Sequence, residues 1–396
     1  MNYVTAITEP GGMGPILSAV AVAYNAPLAG GEKSLAALSV VGRNVTRRYL
    51  HSAPEKAAHP DGGKFVILEL DPRDRAPMLR EMVGQPPHSR AAYPTPKAVV
   101  CQEFDLTDVN GTCYPAGQKE TTEVNRTVVV DFSVQTFVDP ASSNELNYCL
   151  FTPKTIEEGK KYPLVTFIHD AGACSDDVRT GLLQGVGGTV WAADELQKEH
   201  PCFVLVPQYS CPIVDDDWNT TWEVEATNAL IDAVAAAHPV DTGRLYLTGQ
   251  SMGCMTSCRL MAMHPRKWAG AYLVAGQWEP TQMADVTDTP VWYLVSDKDE
   301  KAFPGMNAIA AIWEEQGIRI TRGAFDVLDS PSAVNEAAKK LAESDEKVFC
   351  TTLTGDGIIP SGMPRFPGVH HVCTWLHAYN IPAIRCWLFE QHRDPN

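Results

Sequence analysis

Residues 245–253 read Leu-Tyr-Leu-Thr-Gly-Gln-Ser-Met-Gly, an apolar β-prone run that meets Gly249-x-Ser251-x-Gly253 and passes into a helix-forming stretch ending near His264-Pro265. A serine hydroxyl is a weak nucleophile at neutral pH. Acyl transfer through it needs an exposed position on a tight turn, a base within hydrogen-bond reach and donors facing an oxyanion. Glycines two residues either side of Ser251 allow such a turn, because they remove side chains where strand and helix crowd together and leave the serine strained. The pattern predicts a nucleophile elbow.

The partners this chemistry requires follow in the order serine, acid, histidine. An apolar run at Val291–Val295 leads into Ser296-Asp297-Lys298-Asp299-Glu300, so carboxylates stand where a loop leaves a sheet. Asp299 is expected as the acid rather than Asp297, since it lies further past the strand, just before the chain turns toward a helix. Near the end, Gly368-Val369-His370-His371 offers two histidines, expected in a loop before the last helix, and one of them would act as general base. Neighbouring residues point apart and no third ligand accompanies them at helical spacing, so neither a metal nor a cofactor is expected. His377 reads as structural. For the oxyanion, the Met252 N–H follows the nucleophile, and a second donor is expected from the small-residue loop His169-Asp170-Ala171-Gly172-Ala173 that ends the strand Leu164–Ile168.

These groups need a scaffold that brings strand ends together. From residue 163 onward, short apolar runs at Leu164–Ile168, Phe203–Pro207, Leu245–Thr248, Ala271–Ala275, Val291–Val295 and Val348–Leu353 alternate with helical patterns at Val224–Ala237, Gly305–Gln316 and Ile381–Gln391. Such alternation implies a mostly parallel sheet covered by helices, with ligands at the carboxyl ends of its strands. A β-hairpin, Val128–Phe137 and Leu146–Phe151 around Asp139–Asn144, is expected to open this domain. The first 120 residues differ. Runs at Tyr3–Ile7, Ile16–Tyr24, Ala36–Val41, Lys64–Leu70 and Ala98–Phe104, separated by Pro, Gly, Asn and Asp, suggest a small antiparallel β-sandwich. The expected division is 1–120 and 121–396.

The 396-residue chain carries a net charge of −16, which would repel nucleic acid and anionic membrane, so neither is expected as a partner. No apolar run reaches the roughly 18 residues needed to span a bilayer, and Gly14–Tyr24 lacks the basic flank of a signal peptide. A cytoplasmic location is the expectation. The 11 cysteines are scattered, and Cys149, Cys202, Cys258, Cys350 and Cys386 fall in apolar runs, which reads as reduced core thiols; Cys101 and Cys113 are the pair to suspect of a disulfide. Sequons at Asn44, Asn110, Asn125 and Asn219 read as chance.

Taken together, Val240-Asp-Thr-Gly-Arg244-Leu-Tyr-Leu-Thr-Gly-Gln-Ser251-Met-Gly, His169-Asp-Ala-Gly172, Asp299-Glu-Lys-Ala-Phe-Pro-Gly305 and His371-x-x-x-Trp375-x-x-x-Tyr379 resemble carboxylesterases of the α/β-hydrolase fold. The subgroup resembled is the EstA type, with an amino-terminal immunoglobulin-like domain; Gly63-Lys-Phe-Val-Ile-Leu-Glu-Leu70 is the centre of that weaker match. The resemblance implies Ser251 as nucleophile, Asp299 as acid and His371 as base, with Ala171 and Met252 lending oxyanion amides. It also implies a small-molecule ester as substrate. Asp170 stands where that family commonly has glycine. Either its side chain points away, or the site takes a cationic or hydroxylated substrate. Cys254 replaces a second common glycine and with Cys258 reads as packing. His169, Asp170, Gln250, Trp218 and Trp278 are expected near substrate, with the tryptophans, like Trp222, either lining an acyl or aryl pocket or packing its rim. A serine peptidase or amidase of the same fold is the alternative, followed by a non-catalytic binding protein. The β domain is expected to shape the site mouth or to assemble copies of the chain.

Overall fold

The computed structural model describes residues 1–72, 74, 79–84 and 90–393. The chain divides into two compact units, Met1–Val83 with Ala92–Asp131 and Gly84–Ala91 with Phe132–Asn396. In the first unit a five-stranded sheet runs in the order Glu123–Arg126, Val4–Gly11, Gly14–Ala23, Phe65–Leu70, Val45–His51, and a three-stranded sheet in the order Gly117–Glu120, Val99–Gln102, Leu38–Val40. Alternate residues of the larger sheet, Val20, Val22, Val66 and Leu68, share one buried cluster with Leu38, Val40 and Val100 of the smaller. That makes a sandwich, as the period-2 alternation implies.

Three details differ from expectation. The unit runs to Asp131 rather than to residue 120, because Glu123–Arg126 joins its large sheet, parallel to Val4–Gly11. Ala36 ends a six-residue helix, Gly31–Ala36, and only Leu38–Val40 is strand; a helix under two turns leaves no periodicity to read. Cys101 and Cys113 are free thiols, the first on Val99–Gln102 and the second exposed on the separate ribbon Leu106–Thr107/Cys113–Tyr114.

The second unit holds one nine-stranded sheet, whose strands are β1 (Phe132–Val138), β2 (Glu145–Phe151), β3 (Tyr162–Ile168), β4 (Phe203–Gln208), β5 (Val240–Gln250), β6 (Gly270–Val274), β7 (Val291–Ser296), β8 (Ile320–Asp326) and β9 (Val348–Thr354). The order is β1-β2-β4-β3-β5-β6-β7-β9-β8. The opening hairpin β1–β2 is antiparallel, and β2 meets β4 antiparallel; the remaining pairings are parallel. Its helices include α1 (Thr180–Leu183), α2 (Asp194–Glu199), α3 (Trp222–Ala237), α4 (Met252–Met263), α5 (Ala302–Glu315), α6 (Pro331–Ala342), α7 (Val369–Ala378) and α8 (Pro382–Glu390).

Helices cover both faces, which is why β3, β4, β6 and β7 are buried at every residue. On one face Leu230 and Ile231 of α3, Leu260 of α4 and Trp313 of α5 pack into a continuous core with Leu164, Leu247 and Tyr293. On the other, Trp292 stacks on Phe349 at 4.5 Å, and Trp387 of α8 meets both edge-on at 5.4 Å. Strand order reverses at β3, which continues to β4 on one side and pairs with β5 on the other. A crevice forms outside strand ends at such a reversal, and Ile168 lies directly opposite Gly249 there.

Candidate active site

Ser251 sits between the end of β5 and the start of α4, with φ 54° and ψ −118°. This is a strained conformation for a residue with a side chain, and the surrounding structure enforces it. The Ser251 N–H is tied to the Val274 carbonyl of β6 at 3.0 Å. A Cβ on Gly253 would lie 1.9 Å from the Ile168 carbonyl oxygen, and one on Gly249 would lie 2.7 Å from that same oxygen. Both glycines are therefore required by close approach to β3. Beneath the turn, Cys254 is fully buried and its Sγ donates to the Tyr293 hydroxyl at 3.6 Å, a packing role.

The carboxylate and imidazole beside Ser251 come from the segment after β7 and from α7. Asp299 follows β7 and is 5% exposed. Its Oδ1 accepts from the N–H groups of Lys301 (3.2 Å) and Ala302 (3.0 Å), at the start of α5, and its Oδ2 accepts from His371 Nδ1 at 2.6 Å. Burial pushes its carboxyl pKa up, but the His371 hydrogen bond and charge and the two amides outweigh it, leaving the pKa below the ordinary 3.8. With the Nδ1 proton held by Asp299, His371 Nε2 presents its lone pair to Ser251, whose Oγ donates at 2.8 Å. His371 lies in the first turn of α7, one turn before Trp375, which meets its ring edge-on at 5.3 Å. The histidine pair was expected in a loop. The helix begins at Val369 instead, after Gly368 at φ 83°, and sends the two rings apart. His370 turns to Asp356 (3.3 Å) and Ser296 (3.5 Å). The polar partners of the His371 ring are Asp299 and Ser251 and not Asp297, whose backbone N–H joins the Leu353 carbonyl.

Ala171 opens the short turn Ala171–Ala173 after β3, and Met252 is the first residue of α4. Neither turn nor helix supplies a carbonyl for an N–H at its first position, so both amides are of the kind available to an anion. Both Asp170 carboxylate oxygens are engaged within the protein. Oδ1 accepts from Gly172 N at 2.8 Å and Oδ2 from Gln250 Nε2 at 3.0 Å.

His169 and Gln250 are buried, and neither lines the cleft over Ser251. His169 is fully buried; its Nε2 accepts from Tyr209 N at 3.1 Å, so Nδ1 carries the proton and donates to the Asp170 carbonyl at 2.8 Å. Burial lowers its pKa, against the pull of the Asp170 carbonyl and charge. Gln250 is 1% exposed, because its side chain is spent on Asp170.

A cleft of about 470 Å³ opens over Ser251, Asp299 and His371. Met255, Gln277, Lys298, Lys301, Phe366 and His370 are among its walls, and neither Trp218 nor Trp278 is. Trp278 is 1% exposed and packs edge-on with Trp218 at 5.5 Å, both against the core beneath α3 and α4; Trp222 joins the same cluster as the first residue of α3. All three pack against the core, and none of them lines the cleft. The loop after β4 reaches the cleft through a residue that was not among the sequence expectations. Asp216, two before Trp218, faces the cleft and is held by Gln277 Nε2 (2.9 Å) and Lys301. The signal available was polarity at a strand end, which large aromatics overshadowed. Among the described residues, Glu199, His200 and Cys386 bring donor atoms within 4.8 Å of one another; none of them lines the cleft.

The profile of the esterase immunoglobulin-like amino-terminal domain family matches residues 3–115. The match covers most of the sandwich of the first unit. A sandwich matching that profile thus precedes, in the sequence, a unit with the mixed sheet and flanking helices of the α/β-hydrolase fold. It is similar along its length to the crystal structure of a thermostable esterase, with 25% identity and a TM-score of 0.81 over 99% of this chain and 100% of that one. A stretch of 93 residues, 22% of the chain, is 36% identical to the "Putative esterase NocK" of Nocardia uniformis subsp. tsuyamanensis. That match spans 27% of the curated relative, about a quarter of its length.

Proposed function

We propose that this protein is a serine carboxylesterase that hydrolyses small or medium carboxylic esters through an acyl-enzyme. The observation that carries the reading is the continuous hydrogen-bonded chain from Ser251 Oγ through His371 to Asp299, at 2.8 and 2.6 Å. His371 Nε2 takes the Ser251 proton as Oγ attacks the ester carbonyl; the C–O bond to the alcohol then breaks as the same proton passes to the leaving oxygen. Water, deprotonated by His371, attacks the acyl-Ser251 carbonyl and releases the acid, returning the proton to Oγ. Asp299 keeps the proton on Nδ1 and stabilises the imidazolium at each step. The N–H groups of Ala171 and Met252 would hold the oxyanion.

The cleft volume lies within the roughly 300–1,000 Å³ usual for small-molecule sites, which suits an ester of modest size. Phe366 and Met255 offer apolar contact, while Lys298 and Lys301 are ion-paired to Asp356 and Asp216 and present little free charge. Matched p-nitrophenyl ester and p-nitroanilide substrates of one acyl group provide the test. A kcat/KM for the ester exceeding that for the anilide supports the reading, and the reverse preference would assign the chain to the amidases.

A further inference from the structure

A carboxylate close to a developing oxyanion is electrostatically unfavourable, yet Asp170 immediately precedes Ala171. Both of its oxygens are engaged, and they reach different elements. Oδ1 closes the loop on itself through Gly172 N, whereas Oδ2 accepts from the side chain of Gln250, whose backbone leads directly into Ser251. Gln250 is buried, and so is its second neighbour, Gln184, whose Oε1 lies 3.4 Å from the same amide nitrogen. Further along the loop, Gln208 Nε2 donates to the Ala173 carbonyl at 2.9 Å while its Oε1 accepts from Gly181 N at 2.8 Å. The loop has only a three-residue turn of its own, too short to hold a fixed geometry without outside support.

We propose that Asp170 is a positioning residue: with Gln250 it straps the loop carrying the Ala171 N–H to the strand carrying Ser251, fixing the spacing of the two oxyanion donors. The inference rests on the reading of Ser251 as nucleophile. The strap, rather than the charge, is what the site needs. An asparagine at 170 can accept from Gly172 N with its carbonyl and donate to Gln250 once that amide turns over, so the neutral side chain should keep both ties.

The experiment compares wild type, D170A, D170N, Q250M, the double variant D170A/Q250M and S251A in the full chain. It measures kcat and KM with p-nitrophenyl acetate, inhibition by phenylboronic acid as a mimic of the tetrahedral adduct, and thermal unfolding. D170A should lower kcat on the order of 10- to 100-fold with KM changed less than about threefold, since an oxyanion donor acts in the transition state. Phenylboronate affinity should fall in parallel. D170N should recover most of the loss, Q250M should reproduce it, and the double variant should be no worse than either single one, because both break the same tie. Should D170A fail to fold, Q250M, close in volume, carries the test. Wild-type kcat and boronate affinity in folded D170A or Q250M, with turnover still dependent on Ser251, would overturn the strap. Loss in D170N equal to that in D170A would overturn it too, by making the charge the cause. Turnover persisting in S251A would sink the nucleophile reading instead, and the strap with it.

Discussion

Replacing Gly253 by alanine tests how the elbow is built. The added Cβ would sit 1.9 Å from the Ile168 carbonyl oxygen and 2.6 Å from the Ile168 carbonyl carbon. Ordinary contact begins near 3.4 Å, so about 1.5 Å must be found. The obstacle is the backbone of β3, fully buried between helices, so no flexible side chain can give way. Either α4 moves outward, carrying Met252 N–H and Ser251 with it, or β3 separates from β5 where Ile168 faces Gly249. A misplacement of about 1 Å at reacting groups can cost roughly 100-fold in rate, and overpacking costs about 1–3 kcal/mol of stability. Gly253→Ala should therefore lose at least about 100-fold in kcat/KM for p-nitrophenyl acetate and unfold at lower temperature. Gly159→Ala serves as control. Its φ of 77° strains alanine by roughly 1–2 kcal/mol but nothing lies within 4 Å, so stability should fall with the rate unchanged. A wild-type rate in Gly253→Ala would refute the close-approach argument.

Other consequences can be measured directly. His371→Ala should lower kcat by about 10⁴-fold or more, whereas His370→Ala, which trims a cleft wall and frees Asp356 and Ser296, should cost less than about tenfold; equal losses would contradict the assignment of the base. Burial holds the His169 pKa below its ordinary 6.5, so the unfolded chain takes up a proton that the folded protein refuses. Its contribution to stability is complete above about pH 6.5 and is lost as pH falls from there through the folded pKa. The urea midpoint of His169→Gln should accordingly fall less steeply than wild type between about pH 7 and 5, and parallel slopes would refute this. With Cys113 and Cys211 exposed and the remaining thiols wholly or partly buried, a thiol reagent should modify about two groups rapidly in the native protein and 11 after unfolding. A native protein with Cys113 protected as a disulfide would contradict the free-thiol state.

What could be read from the sequence follows burial. Strands covered on both faces, such as Leu164–Ile168 and Val291–Val295, announce themselves as apolar runs, and the turn at Ser251 announces itself through the glycines that close approach to Ile168 demands. Edge elements do not. Ile320–Asp326 reads Ile-Thr-Arg-Gly-Ala-Phe-Asp because it is the last strand of the sheet, half exposed, and it was not anticipated. The helix Pro331–Ala342 after it buries little beyond Ala338; Ser330, which accepts from Ala333 N, and Pro331 were its only start signals. That Ser251, Asp299 and His371 come together could be read from the sequence because the chemistry proposed for them dictates residue type and chain order. The place of the tryptophans stayed open for the opposite reason: an aromatic at a strand end fits core and pocket equally well, and only the three-dimensional path of the loop separates Trp218 from Asp216.

The central claim is that Ser251 is the nucleophile of an acyl transfer. A fluorophosphonate should form one covalent adduct, mapped by peptide mass to the tryptic fragment containing Ser251. Pre-incubation with an ester substrate should slow that adduct, and Ser251→Ala should abolish both labelling and p-nitrophenyl acetate turnover. An adduct on another residue, or turnover persisting in Ser251→Ala, would contradict the account.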